Sequence, residues 1–373
     1  MSAVAVGILA RLSLQNFRNY ECLDFELDPG VTVLIGDNGQ GKSNFLEAVY
    51  FLAVLRSFRC QQLSNLYRWG TGCFVVRGVL QCEDGREVSL AVQYDNKRQL
   101  RVAGQPVARA SEFIGNLFTV AFVPEDIELI KGTAGTRRRF LDVTLCQMYP
   151  RYLTLLQEYA KAHKSRNTLL RHDATDRQAL SAFDRVMAGR GASIIDYRHR
   201  FFEELSSHQD PIAGAYCGGW PLRLNYRPSI GNDPSATVEE LTEQLMEALL
   251  ESLPRDQQRG QSHVGPHRDD YLFMLEDKSL HLFGSEGQCR TAALICKLAT
   301  AHLLCAMKNR ESVVLLVDDV IGELDSQHRE AFFSLLTQGA QTLFACTDPG
   351  LAANFESPAC YRVSGGTLVE AGL

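Results

Sequence analysis

A glycine-rich loop at residues 36–43 is the first stretch whose residue types and spacing could do chemistry. Its sequence, GDNGQGKS, follows the pattern G-x-x-x-x-G-K-[ST]. Glycines let the backbone turn tightly, so that its N–H groups can surround a phosphate, and the N-terminus of a following helix favours an anion there. In such loops the lysine, here Lys42, reaches the β- and γ-phosphates, and the next hydroxyl, here Ser43, binds Mg²⁺. The competing interpretation is a glycine-rich turn that binds nothing.

A second candidate is the pair of aspartates, Asp318 and Asp319, that ends the aliphatic run VVLLV. Two adjacent carboxylates repel each other, and a buried unpaired charge is costly, so they need a cation, a proton or water. In P-loop folds we expect the strand that ends in acid to lie beside the P-loop strand. Asp318 would then sit near Mg²⁺, and Asp319 would face the γ-phosphate and orient the attacking water. Taken alone, the two aspartates would be no more than a turn after a strand.

A third candidate is the stretch FGSEGQCRTAAL, which places Ser285, Gly287 and Gln288 at the start of a long helical pattern. A Ser-x-Gly-Gln opening presents a hydroxyl and free backbone N–H groups at the positive end of a helix. The simpler interpretation of this stretch alone is an N-cap followed by a loop glycine.

The elements that must position these residues form an α/β pattern at both ends of the chain. Residues 1–130 predict strands with one helix, including an antiparallel meander, and strands return after residue 259. The later strands are predicted at DYLFMLE, LHLFG, SVVLLVDD and QTLFACT, followed by a hairpin at CYRVSGGTLVE. We therefore predict an α/β head (lobe I) formed by residues 1–130 and 259–373.

Residues 131–258 are predicted to be an inserted, mainly helical second lobe (lobe II). Pro150 should kink or restart its first helical run, and a second long helix follows. A loop rich in proline and glycine is predicted at 209–236. The next helix opens with a capping box, Thr237 and Glu240.

Composition sets the broad class. With 373 residues, 45% hydrophobic and 22% charged, the chain resembles a soluble globular protein large enough for two domains. We see no apolar run of the ~18 residues that a membrane span needs and no basic leader before MSAVAVGILARL, so we expect a cytoplasmic protein without a membrane partner. Eleven cysteines without a CxxC pair or metal-ligand spacing predict reduced thiols.

Charge is unevenly distributed along the chain. The net charge is −6, yet residues 131–200 hold 14 Lys and Arg against 6 Asp and Glu. A basic block inside an acidic protein is a candidate footprint for a phosphate backbone, although a solvated helical face is the alternative for any one residue. Two of these arginines, at positions 138 and 139, could equally pair with Asp142. The candidate DNA-binding residues are Arg137, Arg138, Arg139, Lys161, Lys164 and Arg166.

Together the P-loop, the Ser-x-Gly-Gln helix and the acidic strand resemble an ABC-type ATPase head. Seven stretches further resemble, in order and spacing, the RecF family of recombinational DNA-repair proteins, from about residue 11 to the C-terminus. They are LSLQNFRNY, GDNGQGKSNFLEAVYFL, FVPEDIELIKG, RRRFLD, GPHRDD, SEGQ and DDVIGELD.

The resemblance implies a fold, cofactors and partners. It implies an SMC-like head with a helical lobe II, ATP and Mg²⁺ as cofactors, ATP-dependent homodimerisation on DNA, and weak ATPase activity that DNA stimulates. The DNA would be single- or double-stranded, gapped or junction DNA. RecR and RecO would be partners in placing the recombinase RecA on gapped DNA.

The resemblance also assigns roles to individual residues. Lys42 and Asp319 would be catalytic, and Ser43 and Asp318 would hold the metal. Asp325 would be the D-loop residue. The signature acting in trans would be Ser285, Gly287 and Gln288. The nucleotide-binding residues would be Gly36, Asp37, Asn38, Gly39, Gln40, Gly41, Lys42, Ser43, Asn44 and, by similarity to an arginine near the nucleotide in SMC-like heads, Arg18.

Two details depart from common patterns. Family members often carry Gln where this chain has Cys289, which leaves the Ser-x-Gly-Gln core intact. The usual ABC head carries Asp then Glu, and here the second acid is Asp319, one methylene shorter, as in RecF-like proteins. We therefore expect slow hydrolysis.

Other classes fit less well. A transporter ATPase usually has a switch histidine where this chain has Thr347-Asp348, and a full SMC protein needs a coiled coil far longer than the insertion at 131–258. Two alternatives stay open: a nucleotide-gated DNA clamp or adaptor in which hydrolysis is not important, and another SMC-like ATPase head.

Overall fold

Two compact units are present in the computed structural model, which describes residues 7–171, 176–217, 219–308, 313–336 and 340–371. Unit 1 comprises Met1–Asp126, Pro211–Gly219 and Leu294–Leu373, and unit 2 comprises Ile127–Asp210 and Trp220–Ala293.

Strands account for much of unit 1 and for a small sheet in unit 2. Among the described residues they are β1 Gly7–Phe17, β2 Tyr20–Glu26, β3 Val31–Ile35, β4 Cys73–Cys82, β5 Glu87–Asp95, β6 Lys97–Val102, β7 Gln105–Val107, β8 Phe118–Phe122, β9 Leu222–Arg227, β10 Asp270–Leu275, β11 Lys278–Ser279, β12 Val313–Asp318, β13 Gln341–Cys346, β14 Ala359–Ser364 and β15 Thr367–Glu370.

Helices dominate unit 2. The α-helices of the described residues are α1 Lys42–Val54, α2 Ala110–Phe113, α3 Glu128–Lys131, α4 Ala134–Met148, α5 Pro150–Leu170, α6 Arg177–Cys217, α7 Val238–Glu251, α8 Leu253–Arg259, α9 Leu280–Phe283, α10 Glu286–Met307 and α11 Ser326–Leu336.

Unit 1 is built on two six-stranded sheets. One is antiparallel, in the order β2-β1-β4-β5-β6-β7, and it contains the predicted meander. The other has the order β15-β14-β3-β13-β12-β8, and it is parallel except for the β14–β15 hairpin, which was also predicted. Every residue of β12 and β13 is buried, as expected for parallel strands covered on both faces.

The strand order corrects one expectation. The acidic strand β12 does not lie beside the P-loop strand β3, because β13 lies between them and pairs with both. All three strands are parallel, so their carboxyl ends still meet at one edge of the sheet. The P-loop and the two aspartates follow those ends.

Unit 2 corrects the boundary predicted at residue 259. Residues 259–293 group with unit 2, because β10 pairs with β9 along its whole length, from Asp270↔Arg227 to Leu275↔Leu222. The strand pattern near residue 270 therefore belongs to a separate three-stranded sheet, β11-β10-β9. The boundary near residue 293 falls inside α10.

Some of the local structure predicted for residues 131–284 is confirmed and some is wrong. The helix does restart at Pro150, and Thr237 and Glu240 form the predicted capping box. The loop predicted at 209–236 is wrong in part, because α6 continues through Pro211 and β9 follows. The stretch LHLFG is helical rather than extended.

One helix of the described chain, α10, is long and apolar enough to cross a membrane by length and composition alone, which the sequence reading did not anticipate. Its most apolar 18-residue window has a mean hydropathy of 1.3, and 78% of that window is buried inside the protein. A buried core helix passes the same test, so the finding is weak evidence for a span.

Candidate nucleotide site

The P-loop leaves β3 at Ile35 and enters α1 at Lys42, which are the strand and helix that the motif requires. Gly41 has φ +122°, and a Cβ there would lie 2.7 Å from Asn19 Nδ2. A Cβ at Gly36 would lie 2.5 Å from the carbonyl oxygen of Val363. Both positions therefore need glycine, one for its backbone angle and both for space.

Lys42 is buried at 6% exposure and bends back over the loop. Its Nζ donates to the carbonyl oxygens of Gly36 at 2.6 Å and Asp37 at 2.9 Å. These partners carry no net charge, so they do not balance the ammonium. A buried cation at a helix N-terminus that no side chain caps fits an anionic phosphate group.

Ser43 and Asp318 meet although 275 positions separate them. The Ser43 hydroxyl donates to Asp318 Oδ1 at 2.7 Å. Burial raises the pKa of Asp318, the hydrogen bond from Ser43 and the charge of Arg59 lower it, and Asp319 and Glu125 raise it. A hydroxyl and one buried carboxylate are hard oxygen ligands of the kind Mg²⁺ takes.

The described residues contain no group of three or more His, Cys, Asp or Glu that could hold a metal ion. Mg²⁺ usually takes only one or two carboxylates and completes its shell with water and phosphate oxygens. The pair of Ser43 and Asp318 thus fits a metal that is held jointly with a nucleotide.

Asp319 differs from its neighbour in exposure and backbone. Its side chain is exposed, and its φ of +52° is uncommon for a residue other than glycine. The Asp319 N–H donates to the Ala345 carbonyl at 3.3 Å, just beyond the last β12–β13 pair. The left-handed turn places the second carboxylate at the open edge of the sheet.

Arg18 is held by a buried carboxylate on α1. Its Nε and Nη2 each donate to the Glu47 carboxylate at 2.7 Å, and its Nη1 donates to the Asn65 carbonyl at 2.8 Å. Glu47 is fully buried, so this bidentate pair fixes α1 relative to β1. Arg18 nevertheless lines a cavity of about 560 Å³, whose other lining residues are Asn19, Asn44, Arg59, Asn65, Tyr67, Arg68 and Trp69.

Several residues at the site were not singled out from the sequence. Asn19 donates from Nδ2 to the Gln40 carbonyl at 2.9 Å, and the Tyr20 hydroxyl donates to the Gly41 carbonyl at 3.0 Å. Burial raises the pKa of Tyr20, so it stays a neutral donor. Both residues belong to the stretch LSLQNFRNY. Their position next to Arg18 in the sequence could have identified them as site residues.

Two charged residues also act on Asp318. Glu125 follows β8, which pairs in parallel with β12, so it comes off the same edge of the sheet. Arg59 donates from Nη1 to Asn44 Oδ1 at 3.0 Å. Neither residue belongs to a motif that can be recognised from its spacing in the sequence. Only the order of the strands in the sheet indicates Glu125.

The signature residues lie in unit 2, at the N-terminus of α10. The Ser285 N–H donates to Gln288 Oε1 at 2.9 Å and the Gln288 N–H donates to Ser285 Oγ at 3.2 Å, which is a capping box. Gly287 is exposed, and a Cβ there would meet no described atom within 4 Å. Packing within unit 2 therefore does not explain the glycine.

Asp325 caps α11. Its Oδ1 accepts from the His328 N–H at 2.9 Å, and its Oδ2 lies 2.6 Å from His328 Nδ1. The hydrogen bonds from His328 lower the pKa of Asp325, so the exposed carboxylate stays ionised.

The structure contradicts part of the predicted DNA-binding set. Arg166 is fully buried and pairs with Asp184 at 2.5 Å and Asp256 at 2.6 Å. Arg137 is buried and forms a bidentate pair with Asp270. Neither side chain can reach a phosphate backbone, because both are enclosed with their counter-charges.

The remaining basic candidates differ in exposure. Arg138 and Arg139 are half-buried, and Arg138 donates to the Asp269 carbonyl at 2.7 Å. Asp142, the partner considered for them, instead accepts from Arg198 at 2.8 Å. Of the six candidates only Lys161 and Lys164 are exposed.

Comparison with known proteins gives a consistent result. The family model described as RecF/RecN/SMC N terminal domain matches residues 8–363. The DNA replication and repair protein RecF of Leptospira interrogans is 35% identical, over 91% of this chain and 92% of its own length.

Solved structures agree with these matches. A structure of the recombination mediator protein RecF with ATP, in the RecFOR pathway, is 30% identical, with a TM-score of 0.90 over 100% of this chain and 99% of that one. The Smc head bound to the C-terminal winged-helix domain of ScpA is 15% identical, with a TM-score of 0.58 and 98% of each chain covered, and it supports the fold alone.

Proposed function

The chain belongs to the RecF family, whose SMC-type and ABC-type ATPase head fold it shares, and we propose that it is an ATP-dependent DNA-binding protein of recombinational repair and replication-gap processing. The observation that carries this proposal is the 2.7 Å hydrogen bond from Ser43 to Asp318. It joins the motif that would hold phosphate to the motif that would hold metal. The RecF structure with ATP supports the same assignment by similarity.

The residues of the site divide the work between phosphate and metal. When bound, Mg²⁺-ATP supplies the phosphoanhydride bond that is cleaved. The backbone of residues 36–43 and Lys42 would hold its phosphates, and Ser43 with Asp318 would hold the metal. Asp319 would orient the attacking water and accept its proton, because it is an exposed carboxylate that directly follows Asp318 in the chain.

We propose that the site is completed by a second copy of the chain. Ser285, Gly287 and Gln288 would cover the nucleotide held by the P-loop of the partner. Two observations support this: a Cβ at Gly287 would meet no described atom within 4 Å, and Gly287 lies in the first turn of α10, whose positive end suits a phosphate. Asp325, which caps α11 on unit 1, would then be placed at the same dimer interface.

DNA and protein partners follow from the family. The RecFOR pathway named for the solved RecF structure supports RecO and RecR as partners of this chain. Of the six named candidates, the exposed Lys161 and Lys164 are the two left to contact a DNA backbone. Placing a recombinase on gapped DNA is the corresponding role.

Hydrolysis should be slow, rising with protein concentration and with DNA, because a monomer lacks the signature of its partner. Asp319 also has a shorter arm than glutamate on a left-handed backbone, so its reach to water depends on closure of the dimer. The same observation favours a second candidate function, a DNA clamp in which ATP binding matters more than its hydrolysis.

The nucleotide assignment is tested by calorimetry with Mg²⁺-ATP. Lys42→Ala should abolish binding, because the loop loses its buried cation. The control Lys97→Ala removes an exposed lysine from β6 and should bind like the wild type. Equal affinity in wild type and Lys42→Ala would remove the P-loop assignment.

A further inference from the structure

The three most exposed of the large apolar side chains in the described residues flank the two halves of the proposed site. Trp69 is 97% exposed, Phe283 72% and Leu282 70%. Single exposed apolar residues are common and mean little by themselves. These three differ because Leu282 and Phe283 lie just before the signature, and Trp69 lines the cavity that Asn19 and Asn44 also line.

The Leu282–Phe283 pair is held firmly beside the signature. Leu280 at the start of α9 is buried, and the Lys131 ammonium donates to the Gly284 carbonyl at 2.8 Å. A Cβ at Gly284 would lie 2.7 Å from the Leu280 carbonyl oxygen, so the turn into α10 is tightly packed. Ser285 follows at once, and the apolar pair and the signature therefore form one continuous surface.

Trp69 is presented by an equally constrained turn in unit 1. The Arg68 N–H donates to the Asn16 carbonyl at 2.8 Å, and the Thr71 N–H donates to the Arg68 carbonyl at 3.0 Å. The indole forms one wall of the 560 Å³ cavity. Asn19 and Asn44 form another wall, and Asn19 also bonds to the P-loop.

We propose that in the ATP-bound dimer the Leu282–Phe283 pair of one copy packs on Trp69 of the other copy and closes this cavity. The inference rests on the proposed function, in which a signature covers the P-loop of the partner. Each apolar surface is continuous with one half of that composite site. Contact between them removes the three most exposed apolar side chains from water at once.

Charge supports a second copy as the occupant. Of the three arginines that line the cavity, Arg18 is paired with Glu47 and Arg68 with Glu21, whereas Arg59 bonds to the neutral Asn44. The exposed segment 276–278, before the signature, carries two acids and one lysine and is net negative. The unbalanced charge of Arg59 and the charge of this segment have opposite signs, which favours this pairing over contact between two identical surfaces.

The environment of Trp69 can be followed by its fluorescence. The chain has one other tryptophan, Trp220. In a Trp220→Phe background, Trp69 is the sole emitter. Emission and acrylamide quenching would be followed with a non-hydrolysable ATP analogue and Mg²⁺ across a range of protein concentrations. We expect a blue shift and protection from quenching that rise in parallel with the dimer fraction measured by light scattering.

Phe283→Ser in the same background should remove the blue shift. It should weaken the dimer roughly hundred- to ten-thousand-fold, because a symmetric dimer loses the burial of two large apolar side chains, each worth about ten- to hundred-fold. The affinity of the monomer for the nucleotide, measured at a protein concentration too low for dimers, should be unchanged, because Phe283 contacts only the other copy. The control Leu250→Ser, at a 54% exposed position of α7, should leave dimer and emission as in the wild type.

A different contact for Trp69 would show itself in a dimerisation-deficient variant. If Ser285→Arg binds the nucleotide as a monomer and Trp69 still shifts, the indole stacks on the nucleotide of its own copy, and the inference is overturned. A nucleotide-dependent dimer in which Trp69 stays exposed also overturns it while leaving the proposed function intact. Absence of any nucleotide-dependent dimer overturns both.

Discussion

The buried lysine of the P-loop in unit 1 and the buried arginines of unit 2 differ in how their charge is balanced. In unit 2 every buried arginine described above has carboxylate partners: Arg166 has Asp184 and Asp256, and Arg198 has Asp142 and Asp269. In unit 1 the P-loop ammonium of Lys42 bonds only to carbonyl oxygens among the partners described. Paired charges complete the fold, whereas a charge left unbalanced at a helix N-terminus marks a place for a ligand.

This difference can be tested by replacing the buried cation with methionine in each of the two regions. Arg166→Met should lower the free energy of unfolding by about 3–5 kcal/mol, because it leaves two carboxylates buried without a cation. Lys42→Met should change it by less than about 1 kcal/mol, since no counter-charge is stranded. Urea unfolding of both variants measures the difference. Equal losses would mean that Lys42 is structural.

The Asp318→Asn variant tests whether the buried carboxylate of unit 1 binds the metal. The amide should weaken Mg²⁺-ATP binding, because the metal loses its buried carboxylate ligand, while binding of ATP without Mg²⁺ should change little. Calorimetry with and without Mg²⁺ separates the two effects. Equal Mg²⁺ dependence in variant and wild type would contradict the metal role.

The Ser285→Arg variant tests whether unit 2 also contributes to the nucleotide site. ATP binding should stay nearly intact, and ATP-induced dimerisation should be lost. Because Ser285 also caps α10, the matched control is Thr237→Arg, which removes the equivalent cap of α7. Scattering with ATP should show a dimer for the control alone, and a dimer for both variants would contradict the role in trans.

The smallest effect is expected on the surface of unit 2. Lys161→Glu with Lys164→Glu should reduce the salt slope of DNA binding by about two, at ~0.9 for each phosphate contact. The matched control is Arg255→Glu with Arg259→Glu, which makes the same charge change at exposed positions outside the block. Identical slopes for the two double variants would leave Lys161 and Lys164 without a DNA role.

Local sequence signals predicted much of the fold. The P-loop, the capping box at Thr237 and the helix restart at Pro150 depend on neighbouring residues, and all three are present. The end of α6 was missed because a proline at 211 usually stops a helix. The β9 strand was missed because its partner, β10, lies more than 40 residues away.

The DNA role predicted for Arg166 was wrong for a reason that the sequence contains. The buried face of α5 runs through Tyr152, Leu155, Tyr159, Ala162, Arg166 and Leu170. Arg166 continues this stripe at helical spacing, whereas Lys161 and Lys164 lie off it. Net charge over a block of residues does not distinguish the two faces, but periodicity does.

Asp319→Asn tests the central claim, that the paired carboxylates divide metal binding from catalysis. The decisive quantity is the single-turnover rate of ATP hydrolysis by the variant, measured with DNA at protein concentrations where the wild type dimerises. The account predicts that the variant binds Mg²⁺-ATP and dimerises as the wild type does, because Asp318 keeps the metal, while hydrolysis stops and the DNA complex persists. Hydrolysis at the wild-type rate would contradict it.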